Sequence, residues 1–143
     1  MFIVNVEGAI YKENKWLLIR RSEKEEHEGG QLSLVGGKVE QEGHTTDIFE
    51  RTVKREIWEE VGIEVDNLQY VNSSTFVTDV GEHVVDIVLL CQHVAGVAYA
   101  KSPDEVDEVL WLTTEEIMNN PSLPPYLKHN VKLADKILKE TVC

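Results

Sequence analysis

The 143-residue sequence has little cysteine, little positive charge and no long apolar run. Its two cysteines, Cys91 and Cys143, are too few and too far apart for a disulfide framework or a cysteine metal site. Cys91 falls in an apolar stretch and reads as a core residue; Cys143 is expected to be exposed. Fourteen Lys and Arg stand against twenty-six Asp and Glu, a net charge of −12. That balance argues against a general nucleic-acid or anionic-membrane binder, either of which needs a basic footprint. It leaves room for a small anionic ligand, because bound cations and a few local arginines decide that locally. The longest uninterrupted apolar run, Ile87–Cys91, is far short of a membrane span. Met1-Phe2-Ile3-Val4-Asn5 has neither a basic region nor a signal-like apolar block, so a cytoplasmic location is expected. His83 and His93 share one β-rich segment without His-x-x-x-His spacing, and His27 and His44 sit in polar loops, so zinc is not indicated.

What remains is the composition of a soluble globular protein, 42% hydrophobic and 28% charged, and one domain over 1–143 is expected. Phe2–Tyr11 reads as a strand interrupted at Gly8, and Trp16–Arg21 as its hairpin partner across a polar turn. Leu32–Val39 reads as a third strand. Asp47-x-x-Glu50 has the form of a capping box. Phe49, Val53, Ile57 and Val61 then recur every four residues, and Gly62 ends the helix. Ile63–Val65, Leu68–Thr78, His83–Val94, Val97–Tyr99 and Val106–Leu112 are β-rich. Thr113-x-x-Glu116 caps a short helix, and a final helix runs from about Tyr126 to Glu140 with Leu127, Val131, Ala134 and Leu138 inward. Strands, one helix, strands, then helices predict an α/β fold with helices on the faces of a mixed sheet.

The informative stretch is Arg55-Glu56-Ile57-Trp58-Glu59-Glu60-Val61-Gly62-Ile63. On a helix, Glu56, Glu59 and Glu60 fall within roughly a third of the circumference. Like charges so placed repel, and a divalent cation reverses the sign. Carboxylate oxygens are hard ligands suited to magnesium or manganese, often shared with phosphates. Exposed helices commonly carry such glutamates as a solvated face. Here Glu56 and Glu60 border the apolar stripe, which favours a function. Upstream, Val35-Gly36-Gly37-Lys38 breaks a strand with a glycine pair that permits close backbone approach. Arg20 and Arg21 end the second strand facing opposite sides, and either can meet a phosphate bidentately.

Gly37, a loop, and Arg-Glu-apolar-any-Glu-Glu-any-Gly-apolar resemble the signature of the Nudix (MutT-like) hydrolases. The second half matches from Arg55 to Ile63. In the first half, Arg55 follows Gly37 by eighteen positions, which makes the loop four residues longer than the family's pattern. The extra residues fall between Glu42 and Asp47, and the family's first box glutamate stays unassigned over that range. The resemblance implies a Nudix-type α/β/α sandwich and a magnesium- or manganese-dependent hydrolase. Its substrate would be a nucleoside diphosphate linked to a further group, foremost a nucleoside triphosphate cut to monophosphate and pyrophosphate. It implies Glu56, Glu59 and Glu60 as metal ligands, with Glu56 or Glu59 also a candidate base, and Arg55 orienting a glutamate. Gly36 would add its carbonyl and Glu105 a loop carboxylate. Arg21, then Arg20 and Lys38, are the phosphate-binding candidates. His44, in the inserted loop, could reach the site, but solvent exposure is expected.

Two alternatives stay open: a nucleotide-sensing domain without turnover, and an ADP-ribose or nucleotide-sugar pyrophosphatase. Some relatives that use ADP-ribose carry a proline, and diadenosine-type enzymes a tyrosine, near the place of Asp79 and Val80; this chain has neither, a weak argument against both substrate classes. A monomer or homodimer is expected.

Overall fold

The computed structural model describes residues 1–25 and 29–141, so the readings of His27 and Cys143 concern residues outside it. Strands β1 (Phe2–Lys12) and β2 (Lys15–Arg21) form the expected hairpin. Its two turn residues, Glu13 and Asn14, have φ of 47° and 68°. Two successive positive φ values give a turn whose twist matches the flanking strands, and Asn tolerates that backbone well. The hairpin pairs only at Tyr11↔Trp16 and Lys12↔Lys15, after which the strands part. β1 then pairs antiparallel with β4 (Val35–Lys38) and parallel with β6 (His83–Ala95). β2 turns instead to β3 (Leu32–Ser33) and β7 (Val106–Leu112). β5 (Glu64–Val77) pairs antiparallel with β6 and completes a seven-stranded mixed sheet.

Strand alternation sorts the apolar side chains into two cores. Val6, Ile10, Leu17, Ile19, Leu89 and Cys91 face α1 (Ile48–Val61) and pack on Val53, Ile57 and Val61. Ala9, Trp16, Leu18, Val88 and Leu90 face the other way, towards α2 (Thr114–Met118) and α3 (Pro125–Thr141). There Leu127, Val131 and Ala134 are buried and Leu138 partly so. The result is the expected α/β/α sandwich. Each fully buried Ile or Leu contributes about 1.5–3 kcal/mol relative to exposure. No helix among the described residues is long and apolar enough to cross a membrane.

Several local expectations are corrected. Leu32–Val39 is not one strand: β3 belongs to β2 and β4 to β1, with buried Leu34 between them. Val97–Tyr99 is not a strand, because its chain bonds to the end of α1 and not to a sheet edge. The capping box at Asp47 does not form. Asp47 is left-handed (φ 55°, ψ 41°), and its side chain makes no cap bond. Side-chain capping needs an extended N-cap residue. Thr113 has that geometry (φ −72°, ψ 162°), and its box with Glu116 is complete. The bonds to Thr113 also hold the Glu116 carboxyl below its ordinary pKa.

β1 runs unbroken through Gly8. The glycine is there for space and not for a bend. A Cβ at Gly8 would stand 3.0 Å from Ile57 Cδ1, 3.1 Å from Cys91 Sγ and 3.3 Å from Val53 Cγ2. α1 is therefore seated directly on β1. Gly8→Ala is expected to destabilise the protein by about 1–3 kcal/mol, the usual cost of overpacking a filled core. Urea unfolding checks this, and an unchanged midpoint would mean that α1 is loosely seated.

Candidate active site

The carboxylate row lies along one border of the apolar stripe of α1. Glu60, near its C-terminal end, is 2% exposed. Arg21 of β2 reaches it, with Nη1 3.3 Å from Oε1, while Oε2 is buried without a hydrogen-bond partner. One turn earlier Glu56 is half-buried against β4. A Cβ at Gly37 would overlap the Glu56 carboxylate, so glycine is required for this helix to lie so close. Gly36 beside it has Val6 O in the place of a side chain. Arg55 donates from Nη2 to Glu56 Oε1 at 3.2 Å and to the Lys38 carbonyl at 3.3 Å. Glu59 is exposed on the outer side of the row.

Glu105 arrives from the loop before β7, where its carbonyl accepts the Ser22 N–H at 2.9 Å. Its carboxylate faces Glu60 and raises the pKa of both Glu60 and Glu56. Burial is the larger cause in each case. It pushes Glu60 up to about 8, against the pull of Arg21, with Glu56 and Glu105 adding to the rise. Burial likewise raises Glu56 despite Arg55, with Glu59 and Glu105 adding. Burial works against the Arg55 charge, but Glu56, Glu40 and Glu59 together raise its pKa. Cys91, on the same side of the sheet, is pushed up to about 12 by burial and stays an inert thiol.

Of the residues singled out from the sequence, Glu56, Glu60, Glu105, Arg55 and Arg21 come together, with Gly36 beside Gly37 beneath Glu56. Arg20 does not join them. It points to the opposite face, where Nε meets Glu108 Oε1 at 2.7 Å and Nη1 the Gly30 carbonyl at 3.0 Å. Lys38 is exposed at the end of β4 and contributes its carbonyl. His44 lies in the exposed stretch Gly43–Asp47. Among the described residues, no group of three or more His, Cys, Asp and Glu is arranged to hold a metal ion as it stands. The reason is visible in the side chains: Glu56 and Glu60 are turned to arginines, and Glu59 to solvent.

Glu42, until now only one end of the unassigned range, joins the site through arginines. It accepts from Arg51 Nε and Nη2 at 3.1 and 2.8 Å and lies 3.7 Å from Arg55 Nη1. Arg51 and Arg55, at i and i+4, share a helix face, and that spacing signals a common acidic partner from the loop. Between the two ends of the unassigned range, Glu42 is the residue tied to the site; Asp47 only precedes the helix.

A family model for the NUDIX domain matches residues 1–133. The chain belongs to the Nudix hydrolase family. A MutT-like protein of Streptomyces ambofaciens is 35% identical over 80% of this chain, which spans 66% of that protein. Among solved structures, the MutT Nudix hydrolase of Burkholderia pseudomallei superposes with a TM-score of 0.78 at 28% identity, covering 93% of this chain and 98% of its own. The MutT protein of Methanosarcina mazei Go1 gives 0.79 at 27% identity, covering 96% of each chain.

The buried Nudix glutamates set a pH dependence. The pKa of Glu60 is raised on folding, so its contribution to stability is complete below its unfolded value of 4.5. It is lost as pH rises towards about 8. The metal-free protein is expected to lose a few kcal/mol across that window, at about 1.4 kcal/mol for each pH unit. Glu60→Gln should flatten most of the slope. Denaturant titrations at pH 5 and pH 8 measure it, and equal slopes in the two proteins would mean that Glu60 ionises freely.

Proposed function

We propose that this chain is a metal-dependent Nudix hydrolase acting on a nucleoside triphosphate and releasing a monophosphate and pyrophosphate. The supporting observation is the buried Glu60, whose pKa both Glu56 and Glu105 raise and whose Oε2 has no hydrogen-bond partner. Three carboxylates crowded where burial already disfavours their charge are costly without cations. All are hard oxygen donors, and the set fits magnesium or manganese in both charge and chemistry. Glu56, Glu59 and Glu60 would hold such ions, with Glu105 and the Gly36 carbonyl as further donors. A bound divalent cation supplies charge neutralisation at the phosphates and a more acidic water.

The chain's own residues do the rest. Arg55 fixes the rotamer of Glu56, and Glu42 fixes Arg55 in turn. Glu56 and Glu59 are the candidates to orient the attacking water and take its proton. The water oxygen bonds to phosphorus, the anhydride P–O bond breaks, and the pyrophosphate oxygens keep the electrons. Arg21, which reaches Glu60 from the sheet side, is the candidate to meet a phosphate bidentately. Arg20 has no comparable position.

Magnesium or manganese is expected to raise the thermal midpoint by several degrees. An ion at about 100 times its Kd contributes about 2.7 kcal/mol if it binds the folded state alone. The shift should vanish in a Glu59→Gln, Glu60→Gln double variant, and equal shifts in both proteins would overturn the ligand assignment. With metal, a nucleotide panel should reveal turnover that Glu56→Gln or Glu59→Gln lowers by about 100-fold or more, because electrostatic and metal effects dominate this chemistry. Tight nucleotide binding by the wild type with no product from any nucleotide would make it a sensor instead.

A further inference from the structure

The chain between β6 and β7 crosses the C-terminal end of α1. Ala98 and Ala100 pack inward on the α1-side core, and Tyr99 and Lys101 alternate with them. The Tyr99 N–H donates to the Val61 carbonyl at 3.1 Å, and the Lys101 N–H to the Glu60 carbonyl at 3.0 Å. These are two of the carbonyls that a helix end leaves without partners. The Tyr99 ring lies against Gly62, where any Cβ would overlap it. Beyond Lys101 a single turn follows, in which the Ser102 carbonyl accepts the N–H groups of Glu105 and Val106 at 2.9 and 2.8 Å. The next residue fixed is Glu105 itself, through its carbonyl to Ser22.

One side-chain contact joins this strap to the helix from outside. Lys101 Nζ stands 3.7 Å from the centroid of the Trp58 ring. Trp58 is 51% exposed, so core burial does not explain a tryptophan here. At 100° per residue it borders the apolar stripe of α1 on the side away from Glu56 and Glu60. The ammonium over an aromatic face is an attraction in its own right. The strap is thus gripped on one side of α1 and delivers a carboxylate on the other. The exposed Lys24–Asp104 pair at 3.3 Å is too solvated to do the same work.

We propose that Lys101 and Trp58 are positioning residues. Their contact fastens the strap across the end of α1 and so sets the Glu105 carboxylate against Glu60. The inference rests on the metal-binding reading above for its consequence, and on the fold alone for the fastening. Lys101 touches neither the carboxylates nor any position a phosphate would take from Arg21. Its effect therefore passes through Glu105.

The test uses the full chain without nucleotide and manganese as the probe, with binding followed by calorimetry. Lys101→Met and Trp58→Ala are expected to weaken manganese binding about two- to fivefold, the size of an exposed cation–aromatic contact. Lys101→Arg and Trp58→Phe keep the cation and the ring and should restore wild-type affinity. In a Glu105→Gln background, Lys101→Met should produce no further weakening, since coupled residues are not additive. Undiminished affinity in Lys101→Met, or an equal loss in both backgrounds, would overturn the proposal. A second readout needs no metal. Amide hydrogen exchange at Tyr99, Lys101 and Ser22 should quicken in Lys101→Met while the β1 and β6 amides stay protected. Exchange unchanged at all three amides would overturn the fastening even if manganese does not bind. Quickened exchange in a wild-type background that binds no manganese would overturn the metal reading and leave the fastening standing.

Discussion

The seating of α1 directly on the sheet is the constraint on which the site depends. Gly8 removes the side chain that would hold the helix off β1, and Gly37 removes the one that would collide with Glu56. With the helix so close, every residue bordering its apolar stripe is pulled towards the protein body. Glu60 is buried for that reason, and Glu56 half so. A helix farther from the sheet would leave the same glutamates hydrated, with ordinary acidity and a weaker hold on any cation. The spacing of the carboxylates belongs to the helix, but their chemistry belongs to the packing.

Buried like charges must be offset somewhere, and the metal-free chain does it with guanidinium groups. Arg21 meets Glu60 from the sheet, Arg55 meets Glu56 from its own helix, and Glu42 supports Arg55 and Arg51 from the loop. Arg is suited to this because it stays charged and its planar fork serves two acceptors at once. The offset is incomplete: Glu60 Oε2 and Arg55 Nε are buried without hydrogen-bond partners. Thr52 Oγ1, on the same helix, is likewise without a partner, and buried polar groups of this kind call for a water, an ion or a functional role. The stability lost there is recovered in the two cores, where Trp16, Leu17, Leu18 and Ile19 of one strand fill both faces of the sheet.

Much of this was legible in the sequence. The four-residue recurrence of Val53, Ile57 and Val61 placed the helix, and its border residues followed from geometry alone. The two capping patterns show where such reading stops. Asp47-x-x-Glu50 and Thr113-x-x-Glu116 have the same form, yet only the second is a capping box, because only Thr113 has an extended backbone. The composition of a tetrapeptide does not specify the φ of its first residue when the preceding loop is irregular. Likewise strand alternation alone did not separate Arg20 from Arg21, and only the resemblance favoured Arg21, until the register of β2 was known. Alternation then sent Arg21 to the α1 face with Leu17 and Ile19, and Arg20 to the other with Trp16 and Leu18. Val97–Tyr99 had β-like composition, but the Tyr99 N–H goes to the end of α1. Gly8 was read as an interruption because a sequence does not show which helix will lie across it.

The loop between β4 and α1 shows where added length can leave a charged site intact. Its ends are fixed by different means. At one end Glu42 is held by two arginines one helical turn apart; at the other Asp47 leads into α1 through a left-handed turn. Between the two, Gly43–Asp47 is exposed, and at Gly43 (φ 65°) an added Cβ would meet nothing. Added length there costs little, since the closure entropy of a loop grows only with the logarithm of its length. An insertion before Glu42 would act differently, by moving the carboxylate that supports Arg55 and, through it, Glu56. The tolerance of the loop to length therefore begins after the residue that meets the arginines, the stretch where the resemblance to the family places the extra residues.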